Sequence, residues 1–105
     1  MNLFELIHAR RSVRAYQPKP VEEAKLTRIL EAANRAPSAG NLQAYVILIV
    51  RDAAVRLALS RAALNQESLT QAPVVLAFFA HQQVSAAKYK NRGELYSLQD
   101  ATIAC

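Results

Sequence analysis

Hydrophobic and polar positions along the chain follow two rhythms, one of helical period and one of unbroken apolar runs. Leu3, Leu6 and Ile7, with Phe4 beside them, form a helical stripe ending at about Ala9, and Asn2 stands where an N-cap belongs. "RRSVRAY" then reads as extended or turning. "QPKP" stops any helix, because the residue before a proline is pushed out of the α region. From about Val21 to Ala36 the helical rhythm returns in Leu26, Ile29, Leu30 and Ala33. Glu22 and Glu23 lie in the first turn of this helix, where its dipole favours anions, and Arg35 lies near its end. Pro37 closes it.

"YVILIV", residues 45–50, is an apolar run of β-favouring residues and predicts a strand covered on both faces. "AAVRLALSRAAL" predicts a third helix. "PVVLAFFA", residues 73–80, predicts a second buried strand with Pro73 at its first position, where proline is tolerated. "HQQVSAAKYKNRG" is polar and reads as loop or short helix. From Glu94 a last helix places Leu95, Leu98, Thr102 and Cys105 on one face, with Ala101 beside them. Four helices and two strands make an undersized sheet, since about three strands are needed for independent stability. No closing signal follows the last helix. Residues 1–105 are therefore expected to be the N-terminal part of a single larger domain.

Composition narrows the function classes. A chain of 105 residues suits one small domain. No apolar run approaches the ~20 residues that span a bilayer, and the N-terminus lacks the pattern of a secretory signal, so no membrane role is expected. Cys105 is the only cysteine, which excludes an intrachain disulfide and a cysteine metal cluster and fits a reducing, cytoplasmic setting. His8 and His81 are far apart with no third ligand at useful spacing, so no metal site is expected. The net charge is +5, with nine arginines against four lysines, and arginine favours planar partners such as phosphate or carboxylate. The aromatic residues do not interleave with basic ones in a stacking platform, so nucleic acid is not the expected partner. Glycine-rich nucleotide loops and a G-x-S-x-G elbow are absent from the sequence.

Two segments carry candidate chemistry. If the residues after Arg10 are extended, Arg10, Ser12 and Arg14 alternate onto one side, where two guanidinium groups and a hydroxyl suit a phosphate monoester. A solvated basic turn is the alternative. "APSAGNLQAY", residues 36–45, combines Pro37, which fixes φ, with Gly40, which takes positive φ at little cost. Ser38, Asn41 and Gln43 either bond their own backbone or reach outward, and reaching outward would suit the edge of a flat polar ring system. Asp100, in the last helix, reads as a surface or capping residue rather than a functional acid.

Taken in order, "RRSVRAYQPKPV", "ILEAANRAPSAGNLQAYVILIV", "QAPVVLAFFA" and "YSLQDATIA" resemble the N-terminal portion of the FMN-dependent nitroreductase family. The resemblance implies an α+β fold with a mixed sheet flanked by helices, and an intertwined homodimer with FMN at the subunit interface. It assigns the phosphate and ribityl side of FMN to Arg10, Ser12 and Arg14, with Arg11 adjacent. It assigns flavin contacts, usually from the other subunit, to Pro37, Ser38, Ala39 and Asn41, with Gln43 and Gln66 as further amides. Many members have Pro-Trp where this chain has Ala44-Tyr45. Members are longer, and their later strands, a glycine-containing flavin loop and a distal basic phosphate contact would follow Cys105. The implied activity passes electrons from NAD(P)H through FMN to small-molecule acceptors such as nitro compounds or quinones. It needs no catalytic acid or nucleophile from the protein. Dehalogenation, flavin breakdown to a cobalamin precursor, and a non-enzymatic anion- or partner-binding module are the alternatives.

Overall fold

The computed structural model describes residues 1–105. Its helices are α1 (Leu3–Ala9), α2 (Glu23–Asn34), α3 (Ala53–Ala62), α4 (Ser68–Gln71), α5 (Gln82–Tyr89) and α6 (Gly93–Ala104); its strands are β1 (Tyr45–Val50) and β2 (Val75–Ala80). Single 3₁₀ turns occupy Ala39–Asn41 and Lys90–Arg92. The helix starts follow local chemistry. Asn2 Oδ1 accepts from the Glu5 N–H at 3.0 Å, and Glu5 Oε2 accepts from the Asn2 N–H at 2.7 Å, a reciprocal cap. Asp52 Oδ1 caps α3 through the Val55 N–H at 2.9 Å. The polar segment after β2 is helical as α5, with His81 Nδ1 accepting from the Val84 N–H at 3.4 Å.

The two strands pair antiparallel, from Tyr45 opposite Ala80 to Val50 opposite Val75, with α3 and α4 in the connection between them. The architecture is α+β, with helices against a small antiparallel sheet. Arg56 ties the connection down: its Nη1 donates to the carbonyls of Thr70 at 2.7 Å and Ala72 at 2.6 Å. Pro73 thus lies in a bend ahead of β2 instead of inside it.

Coverage of the strands differs from expectation. Tyr45 and Ile47 are half-buried while Val46 and Leu48 are exposed, the alternation of a strand covered on one face. The covering element is α6, which packs on both strands. Between α2, β2 and the end of α6 an apolar groove of about 540 Å³ stays open, lined in part by Ile29, Ala33, Phe78 and Ile103.

The buried face of α6 also differs from its apolar pattern. Leu95 and Leu98 point to solvent, and the buried residues are Gly93, Ser97, Asp100, Ala101 and Ala104. Close approach explains the choice of small residues. A Cβ on Gly93 would lie 2.5 Å from both N and Cα of Ala86, so α5 and α6 meet backbone to backbone. Only ten of 105 residues are buried, and Leu26 is the only large aliphatic one among them. The tightest packing therefore lies around α6 and the loop that it carries.

Candidate functional site

The loop between α2 and β1 is held from both ends. The Arg35 N–H still donates to the Ala32 carbonyl and the Ala36 N–H to that of Ala33, and Pro37 then blocks further helix. Ser38 is extended, with φ −142° and ψ 153°. The chain then turns through Gly40, Asn41 and Gln43 at φ of 61°, 56° and 42°. Left-handed backbone is natural for glycine, tolerated by asparagine and unfavourable for glutamine. Local bonds account for part of its persistence. Ser38 Oγ accepts from the Gln43 N–H at 3.0 Å, and Gln43 Nε2 donates to Asn41 Oδ1 at 2.7 Å.

Long-range bonds account for the rest. The Ala39 N–H donates to Asp100 Oδ1 at 3.0 Å, and the Ala44 N–H donates to Asp100 Oδ2 at 3.2 Å. The Ala44 carbonyl accepts from the His81 N–H at 2.8 Å. Ala44, at 0% exposure, is thus fixed on both sides of its backbone. Tyr45 closes the rim by donating its hydroxyl to Asn34 Oδ1 at 2.8 Å. Burial raises the pKa of the Tyr45 phenol above its ordinary value, and the negative charge of Asp100 adds to that rise.

Hydrogen-bonding capacity remains in the loop. The N–H groups of Ser38 and Gly40 donate to no backbone acceptor. The Asn41–Gln43 bond leaves Asn41 Nδ2 as donor and Gln43 Oε1 as acceptor. One side of Gly40 is occupied: a Cβ there would lie 2.7 Å from the Tyr89 hydroxyl and 3.0 Å from Lys88 Nζ. Lys88 Nζ in turn lies 5.6 Å from the centroid of the Tyr89 ring, which meets Tyr96 edge-on.

The arginine segment is built differently. Every residue from Met1 to Pro20 is exposed. Arg10 Nη1 donates to Ser12 Oγ at 3.2 Å, so these two share a side as the extended reading requires. Arg11 folds back onto the carbonyls of His8 and Arg10, both at 2.8 Å. The chain's ion pairs, Lys25–Glu22 and Arg51–Glu23, leave Arg10 and Arg14 without an acidic partner. No hydrogen bond joins residues 10–14 to the loop at 36–45. Gln66 lies apart from both, exposed in the α3–α4 connection, where its backbone bonds Ser60. The apolar groove, which reaches Ala36, and two clefts of about 360 and 330 Å³ around Tyr16 are lined by none of the candidate polar side chains.

The loop residues and the Arg10–Ser12 pair thus form two clusters within one chain. Sequence reasoning missed Asp100 and His81 as determinants of the loop. The available signal was an acid on a helix face whose flanking positions, Ser97, Ala101 and Ala104, are all small.

The nitroreductase family model matches residues 7–68, which includes both clusters. The NADH dehydrogenase of Thermus thermophilus is 54% identical over 71 residues, covering 68% of this chain and 35% of its own length. The FMN reductase [NAD(P)H] of Bacillus subtilis is 39% identical over 70 residues, covering 67% of this chain and 28% of its own. In three dimensions the NADPH:FMN oxidoreductase of Vibrio harveyi, solved in complex with NAD⁺, superposes with a TM-score of 0.82 at 26% identity, over 96% of this chain and 46% of its own. The chain thus spans half or less of the length of these relatives. The family match over more than half of the chain and the relative sharing 54% identity make this protein a member of the nitroreductase family.

Proposed function

We propose that the chain is the N-terminal part of a single-domain, FMN-dependent oxidoreductase, which passes electrons from NAD(P)H to nitro compounds, quinones or similar acceptors. It works as a homodimer in which the loop of one protomer meets the arginine segment of its partner. The observation that carries this reading is the pair of unsatisfied groups: two arginines without acidic partners, and a loop held by the fold whose Ser38 and Gly40 N–H groups have no backbone acceptor. The names of the relatives support a flavin and a nicotinamide donor.

The residues suit FMN chemically. Arg10 and Arg14 would hold the phosphate through charge-assisted bonds, with the Ser12 hydroxyl beside them and Arg11 adjacent. The N–H groups of Ser38 and Gly40 and the Asn41 amide would border the ring, with Pro37 and Ala39 shaping the bend and Gln43 offering an acceptor. Gln66 would be a further amide contact. Bound FMN would supply the redox chemistry between a nicotinamide donor and the second substrate. Backbone donors fixed at the ring edge favour negative charge that develops there, at no cost of reorganisation. No acid or nucleophile from the protein is required.

Titrating the intact protein with FMN and following flavin fluorescence tests the phosphate assignment. Replacing Arg10 and Arg14 together with alanine is expected to weaken binding more than about tenfold, since a hydrogen bond to a charged group contributes about 1.5–3 kcal/mol. The melting temperature should stay unchanged, because both side chains are exposed. Equal affinity in the double variant would refute the assignment. A colourless, well-folded intact protein that ignores FMN would favour an anion-binding module instead.

A further inference from the structure

Asp100 is 2% exposed on the inner face of α6. Neither ion pair of the chain involves it. A buried carboxylate without a counter-ion is costly unless hydrogen bonds replace its water. Here the replacement comes from two backbone N–H groups 61 and 56 residues away in sequence, Ala39 on Oδ1 and Ala44 on Oδ2. These donors bracket the residues at positive φ, Gly40, Asn41 and Gln43. The carboxylate therefore fixes both ends of the strained turn and sets the span between them. Ala44 supplies the donor that fills Oδ2, an N–H that a proline at this position would lack.

We infer that Asp100 is a positioning residue, locking the turn at residues 39–44 in its left-handed form and so aiming the Ser38 and Gly40 N–H groups and the Asn41 amide outward. The aim toward a flavin ring rests on the function proposed above; the lock on the turn does not. Backbone donors serve a ring only if their directions are set before it arrives, because ordering a loop on binding subtracts from affinity. Asp100 sets those directions from the opposite side of the loop, without touching the ring. The Ala44–His81 bond gives the same clamp a second point, where α5 begins.

The test is amide hydrogen exchange read residue by residue by NMR in the intact protein, paired with FMN titration. Asp100→Asn keeps the shape of the side chain and removes one acceptor. It is expected to speed exchange at Ala39 and Ala44 at least about tenfold while the β1–β2 ladder keeps its rates, and to weaken FMN binding by a similar factor. Unchanged exchange at Ala39 and Ala44, or acceleration spread evenly over the ladder, would overturn the inference. If the variant fails to fold, the wild-type protein decides. Scalar couplings across the hydrogen bonds from the Ala39 and Ala44 nitrogens to the Asp100 carboxyl carbon are expected, and their absence would overturn the clamp. A wild-type protein that ignores FMN would refute the flavin reading, while the exchange rates and couplings would still decide the lock.

Discussion

The two candidate clusters lie about 25 residues apart and are held by different means. The arginine segment is stabilised entirely by near neighbours: the Asn2–Glu5 cap, Arg10 on Ser12, and Arg11 on the carbonyls of His8 and Arg10. No residue of α1 is buried, and Phe4 is 73% exposed. The loop at residues 36–45 is held by α6 and by the start of α5, through partners more than 30 residues away. The difference teaches where pre-organisation resides. The loop's backbone is fixed by elements distant in sequence, whereas the arm is held by exposed local bonds alone.

Breaking the platform under the loop should have the largest effect. Gly93→Ala places a Cβ 2.5 Å from the Ala86 backbone, which neither helix can yield without moving. A loss of about 2 kcal/mol is expected, the scale of overpacking a tight contact, with a fall of several degrees in melting temperature. Exchange at Ala39 and Ala44 should rise with it while the amides of α1 stay unaffected. A variant that melts with the wild type would show that the two helices can separate freely.

Breaking the arm should have a smaller and local effect. Asn2→Ala removes the reciprocal cap and should cost α1 about 1 kcal/mol. Because no residue of α1 is buried, the cost should appear as faster amide exchange at Leu6 and Ile7, with the global melting temperature unmoved. A clear drop in melting temperature would mean that the arm is coupled to the body, and the contrast between the two regions would fail.

The smallest effect concerns the rim of the loop. The Tyr45 phenol titrates above its ordinary value near 10 because burial and Asp100 both disfavour the phenolate. Its folded pKa therefore exceeds its unfolded one, and between the two the unfolded chain releases a proton that the folded chain keeps. Tyr45 contributes stability that is full below about pH 10 and is lost as pH rises through the folded value. Tyr45→Phe should flatten that decline in denaturant melts run from pH 9 upward. Parallel curves for the two proteins would remove Tyr45 from the account.

Much of this molecule is legible along the chain. Asn2, Pro37 and the apolar runs at 45–50 and 73–80 announce the elements to within a few residues, because caps, prolines and β-branched runs act over a few residues. The clusters Arg10–Arg14 and Ser38–Gln43 are likewise contiguous, so their polar chemistry shows in sequence order. The buried face of α6 is not legible in this way. Leu95 and Leu98 are the apolar choice on that helix, yet they face solvent; Gly93 brings the backbones of α5 and α6 into close contact, and the buried face carries serine, alanine and the Asp100 carboxylate instead.

By itself the sequence determined where most helices and both strands lie to within a few residues, which residues carry cationic and amide chemistry, and which family the ordered set resembles. Only the tertiary structure decided that a single buried carboxylate on α6 holds both ends of the loop, and that no residue of α1 or of the arginine segment is buried. The reason is range: caps and turns depend on neighbours within a few positions, whereas the bonds from Asp100 to Ala39 and Ala44 exist only once the fold brings these distant residues together.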